Sequence, residues 1–61
     1  MNLNKHQMNN LIQCVIKSIE SKLDEKEIKN RSINFLIDTY KIEMDEAKKI
    51  VNIVYSKLKN K

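Results

Sequence analysis

Neither glycine nor proline occurs anywhere in the chain. Glycine is the usual residue at positive φ and in the tight turns of β-hairpins, and proline punctuates irregular loops. A chain without either is steered toward helices joined by very short connections. Hydrophobic periodicity decides how many helices there are.

At about 100° per residue, Met8, Leu11, Ile12, Val15, Ile16, Ile19 and Leu23 fall on one side of a wheel, at spacings of three and four. This predicts an amphipathic helix over about residues 5–22. Leu3 points elsewhere, and the first four residues are expected to fray. "LDEKEIKN" reads as a stop and a restart. Asp24 is a suitable N-cap, Glu27 stands where a capping box needs an acid, and Leu23 and Ile28 are placed for a hydrophobic staple. A second helix follows over about 25–39, with Ile28, Ile33, Phe35, Leu36, Ile37 and Tyr40 covering about half its circumference. Such a wide apolar face suits a middle helix packed against two neighbours.

The stretch "KIEMDEAKKIV" opens the third helix, over about 43–59. Asp45 and Glu46 complement the positive end of the helix dipole, and Ile42 can staple onto Ala47 although it lies outside either stripe. Ala47, Ile50, Val51, Val54, Tyr55 and Leu58 then continue one face. The expectation is an all-α chain, a compact three-helix bundle with very short connections, forming one domain over residues 1–61. "KIEMDEAKKIV" also resembles the start of the final helix in ubiquitin-associated-type three-helix domains, where an apolar residue precedes acids, an alanine and a branched pair. The likeness covers about a dozen residues. The glycine-aromatic loop those domains use for binding is absent between helices one and two, so no function is carried over.

A chain of 61 residues buries only about 60% of its unfolded surface, which leaves no room for a two-lobed cleft. Small domains often add disulfides, a metal or a partner chain. Cys14 is the only cysteine, so no internal disulfide forms and association with another chain gains weight. The net charge of +4 invites a nucleic-acid reading. However, 11 lysines stand against one arginine, alongside 8 asparagines and 9 isoleucines, a balance that A/T-rich codons produce in a protein of any function. The polar start and the lone thiol lead to an expected cytoplasmic location, and no apolar run approaches the roughly 20 residues of a membrane span.

Catalytic chemistry finds no support in the residues. Cys14 and His6 would be about 12 Å apart along one helix, beyond thiolate pairing. The groups Asp24, Glu25, Glu27 and Glu43, Asp45, Glu46 follow no calcium-loop pattern and read as helix starts. The chain is therefore expected to be no enzyme, with no metal, no cofactor and no small-molecule substrate.

Two surfaces remain. Ile53 lies roughly 120° or more from most of the third helix's stripe, and Ile37 and Tyr40 lie at the edge of the second's. Isoleucines surplus to a small core mark an interface when they cluster. The expected function is a small regulator, inhibitor or adaptor that binds a protein target. Its contact residues would be Arg31, Ile37, Tyr40 and Ile53, with Lys49 and Lys57 at the rim. A homodimer is a further arrangement, and a bacterial or phage accessory protein is the expected setting. The alternative is a helix-turn-helix-like DNA-binding regulator presenting Lys48, Lys49, Asn52 and Lys59 from the third helix. The acids at that helix's start would face phosphate and weigh against it.

Overall fold

A computed structural model describes residues 3–60 and shows three α-helices of 16 residues each: α1, Lys5–Glu20; α2, Glu25–Tyr40; and α3, Met44–Lys59. No strand occurs among the described residues, and the three helices pack as a bundle. Helix α2 contacts both neighbours closely, whereas α1 and α3 approach each other least. The wide apolar face of the second helix therefore has the two partners that its width implied. Met1 and Asn2 of the expected frayed start, and Lys61 of the basic end, lie outside the described residues.

The helix starts share one device. The residue before each N-cap and the fourth residue inside the helix are apolar, as in a hydrophobic staple. The pairs are Leu3 and Met8, Leu23 and Ile28, and Ile42 and Ala47, and all six belong to the core or pack against it. Two expectations are corrected here. The start of α1 is not frayed at residues 3 and 4: Asn4 accepts from the Gln7 backbone N–H at 2.8 Å, and its own N–H donates to Gln7 Oε1 at 3.1 Å. The box at α2 is only half made. Asp24 accepts from the Glu27 N–H at 2.8 Å, but the Glu27 carboxylate turns outward to Arg31 at 2.9 Å.

The connections manage without glycine by placing lysines in the left-handed region, Lys22 at φ 63° and Lys41 at φ 58°. After α1, the Lys22 N–H donates to the Ile19 carbonyl at 2.9 Å and the Leu23 N–H to Ser18 at 3.3 Å, the two bonds of a Schellman closure. That closure ends α1 at Glu20, two residues short of the expected boundary. After α2, the Lys41 N–H bonds the Ile37 carbonyl at 3.1 Å. The left-handed residue reverses the chain there and carries Ile42 inward, where it is buried.

The core is Leu11, Val15, Ile28, Leu36, Ile42, Ala47, Ile50, Val51 and Val54. Two serines join it, Ser18 and Ser32, each donating its hydroxyl to the carbonyl four residues back, at 3.0 and 2.9 Å. Ile19 departs from expectation. It stands 40% exposed at the last turn of α1, on the edge of the stripe, and α1 and α3 are the pair of helices that approach each other least.

Two local features predict stabilising changes. Lys41 adopts a conformation that costs a non-glycine residue about 1–2 kcal/mol, partly offset in glycine by its larger unfolded-state entropy. Glu43 caps α3 without a side-chain hydrogen bond, and a shorter aspartate would reach the Glu46 N–H. Lys41→Gly and Glu43→Asp should each add about 0.5–1 kcal/mol, raising the thermal midpoint by a few degrees. Thermal unfolding followed by circular dichroism checks both, and a lowered midpoint in Lys41→Gly would contradict the left-handed cap.

Candidate interaction surface

On α3 the buried residues Ala47, Ile50, Val51 and Val54 mark the inward side. Which flank faces α2 is fixed by Tyr55, since Lys29 Nζ stands 5.3 Å from the centre of its ring. Lys48, Asn52 and Lys59 share Tyr55's flank at helical spacing. Ile53 lies about 160° from Tyr55 on the wheel, on the flank turned away from α2. It is 46% exposed. Lys49 and Lys57 stand one turn before and one turn after it, both exposed.

Helix α1 can be oriented in the same way. Its residues Asn10, Cys14, Lys17 and Ser21 line a shallow groove together with Arg31, Phe35, Asp38 and Tyr40 of α2. That is the flank of α1 turned toward α2. The opposite flank carries Met8, Ile12, Ile16 and Ile19, all half-buried apart from the exposed Ile19. The flanks that turn away from α2 border the seam where α1 and α3 approach least. This seam is apolar along its α1 side and carries Ile53 between two lysines on its α3 side.

The six residues expected at a protein interface do not form one patch. Arg31 and Tyr40 both line the α1–α2 groove. Arg31 is engaged with Glu27 through its Nε at 2.9 Å. The Tyr40 hydroxyl accepts from Asn10 Nδ2 at 3.2 Å, and its ring meets Phe35 edge-on at 5.5 Å between centroids. Tyr40 is therefore a tie between the start of α1 and the end of α2. Ile37 is half-buried and packs against the core. Only Ile53, Lys49 and Lys57 stay together, on the α3 side of the seam.

The residues of the nucleic-acid alternative are all exposed on the outer side of α3. Lys59 is partly occupied, with Glu25 Oε1 at 4.0 Å and the Tyr55 ring centre at 5.8 Å. Glu25 also holds Lys29 at 2.8 Å. The result is a cluster in which one carboxylate from the start of α2 and one ring from α3 collect two lysines. A linear sequence does not reveal this cluster, because it joins residues 25–29 to residues 55–59. Periodicity reveals the flank Ile12–Ile16–Ile19 but not that Ile19 stands exposed on it.

Glu25 is the group whose titration this cluster clearly perturbs. The hydrogen bond from Lys29 and its charge hold the carboxyl below its usual 4.5, with a smaller contribution from Lys59. A carboxyl whose pKa falls on folding stabilises the fold above its unfolded value, and that contribution fades as pH falls through the lower folded value. Glu25→Gln should therefore lose slightly less stability than the parent on going from pH about 7 to about 3. Urea midpoints at the two pH values check this, and an equal or larger loss in Glu25→Gln would contradict the pairing.

No group of three or more His, Cys, Asp or Glu side chains converges among the described residues, and no described helix is long and apolar enough to cross a membrane. No family model, curated protein or solved structure matches the chain.

Proposed function

We propose that the chain is a small non-enzymatic interaction protein, a regulator, inhibitor or adaptor that occupies a surface on another protein through the helical face centred on Ile53. The carrying observation is a large apolar side chain, 46% exposed, set between two lysines that take part in none of the ion pairs among the described residues. A single exposed isoleucine is ordinary on a protein surface. An isoleucine beside a half-buried apolar flank on the neighbouring helix is the arrangement of a contact patch.

Ile53→Asp tests the reading. Because the side chain is outside the core, helical content and the unfolding midpoint should change little, within about 0.5 kcal/mol. A partner protein recovered from native cells by the parent chain should be lost by at least about tenfold. If Ile53→Asp unfolds the chain, Ile53 belongs to the core. If no recovered protein depends on it, this face is not the contact.

The alternative, a DNA-binding regulator, draws on the exposed run of Lys48, Asn52 and Lys59 with Lys49 beside it. It requires retention on duplex DNA that falls steeply between low and moderate salt and weakens when these lysines become alanine. Glu25 beside Lys59 and the acids Asp45 and Glu46 in the first turn of α3 oppose it.

A further inference from the structure

We infer that the seam between α1 and α3 docks an acidic amphipathic helix, one that sets a large apolar residue against Ile53 and carboxylates one turn to either side of it. This deepens the interaction reading and rests on it. Helix-in-groove recognition uses apolar anchors at spacings of three, four and seven along the incoming helix. The seam offers matching counterparts. Ile12, Ile16 and Ile19 recur at spacings of four and three along one flank of α1, and Ile53 stands on the flank of α3 that, like theirs, turns away from α2. Ile19 and Ile53 keep 40% and 46% of their surface exposed, and both lie in the C-terminal halves of helices that each run antiparallel to α2. The antiparallel sense is fixed at both ends of the bundle, by the bond from Asn10 to Tyr40 and by the pairing of Glu25 with Lys59.

Charge selects the occupant. Lys49 and Lys57 bracket Ile53, and no acid follows Glu46 on α3. Lys5 adds a third cation on the α1 flank, while Glu20 and Glu46 stand toward opposite ends of the seam. A second copy of the chain is disfavoured. Two α3 helices crossing antiparallel at Ile53 would set Lys49 against Lys57, and a parallel crossing would set each lysine against itself. Both bring like charges together in molecules that already carry a net +4. Duplex DNA would satisfy the lysines but leave the isoleucines uncovered. An acidic amphipathic helix covers the isoleucines and pairs with both lysines.

The probe is a synthetic helical peptide with leucines at spacings of three and four and glutamates flanking them, compared with versions carrying glutamine or lysine in place of glutamate. Amide NMR titration of the full chain should shift residues around Ile12, Ile16 and Ile19 on α1 and from Lys49 to Lys57 on α3. Affinity should fall in the order glutamate, glutamine, lysine. The double reversal Lys49→Glu with Lys57→Glu changes only exposed side chains and should leave helical content intact. It should weaken the glutamate peptide by at least about tenfold and strengthen the lysine peptide. The inference is overturned by no binding of the glutamate peptide, by shifts confined to the α1–α2 groove, by a charge swap without effect, or by duplex DNA competing the peptide off at physiological salt. Its failure is separable from that of the interaction reading. A native complex lost with Ile53→Asp but kept with the double reversal sinks the acidic helix and leaves the interaction, whereas a complex indifferent to Ile53→Asp sinks both.

Discussion

Leu36→Ala should leave a large share of the chain unfolded at room temperature. Leu36 is fully buried near the C-terminal end of α2, the helix that both neighbours pack against. Truncating a buried leucine costs about 2–5 kcal/mol, because the lost transfer free energy is joined by a cavity the surroundings fill only partly. A chain of this size has a total stability of about 3–9 kcal/mol at the usual 0.05–0.15 kcal/mol per residue. One methyl-bearing branch therefore decides most of the margin. The Leu36 carbonyl also accepts from the Ile42 N–H at 3.4 Å, so the turn that brings Ile42 inward is anchored at the same residue. The thermal midpoint should fall by roughly 10–30 °C. Ile19→Ala, which trims a half-exposed side chain at the seam, should stay within a few degrees of the parent. Similar losses from both variants would mean that the core is not centred where the burial places it.

The contrast between Leu36 and Ile19 shows what periodicity carries and what it leaves out. Both residues sit on apolar stripes, and the stripes found the three helices with boundaries mostly within a residue. A stripe does not say how closely two helices approach, and Ile19 is exposed on the flank of α1 turned away from α2, in the pair of helices that approach least. Ile42 failed in the opposite direction. A wheel assumes a continuous helix, whereas the left-handed Lys41 turns the chain and puts Ile42 into the core. At the start of α1 the capping box is an amide pair rather than a hydroxyl residue with an acid, and Asn4 with Gln7 closes the same two bonds. The candidate site was legible in one part only. Ile53, Lys49 and Lys57 lie on one helix and their mutual placement follows from its pitch. Arg31, Ile37 and Tyr40 lie on another helix, and their separation from Ile53 depends on packing that spacing does not encode.

Ser32 is the clearest case of a packing residue hidden from a hydrophobic count, and it carries the second large prediction. It is fully buried, and its hydroxyl donates to the Ile28 carbonyl at 2.9 Å. That bond makes the serine self-sufficient as a polar group, so what it contributes to the interior is small size. It lies one turn after Ile28 and one turn before Leu36, on the buried line of α2, while Ala47 is the small buried residue on α3. Ser32→Ala removes the donating hydroxyl, leaves the Ile28 carbonyl its backbone helical partner and installs the best helix former, so its effect should be within about 0.5 kcal/mol of neutral, of either sign. Ser32→Leu keeps helix propensity high and raises hydrophobicity, yet it adds two heavy atoms and a branch at a position with no exposed surface. Overpacking of this kind costs about 1–3 kcal/mol, and more where the backbone cannot yield. The leucine variant should lose roughly 5–20 °C of thermal midpoint while the alanine variant stays near the parent. The opposite ranking, with leucine the more stable, would mean that the position opens onto solvent or a void and that α2 does not pack as closely as its buried serine indicates.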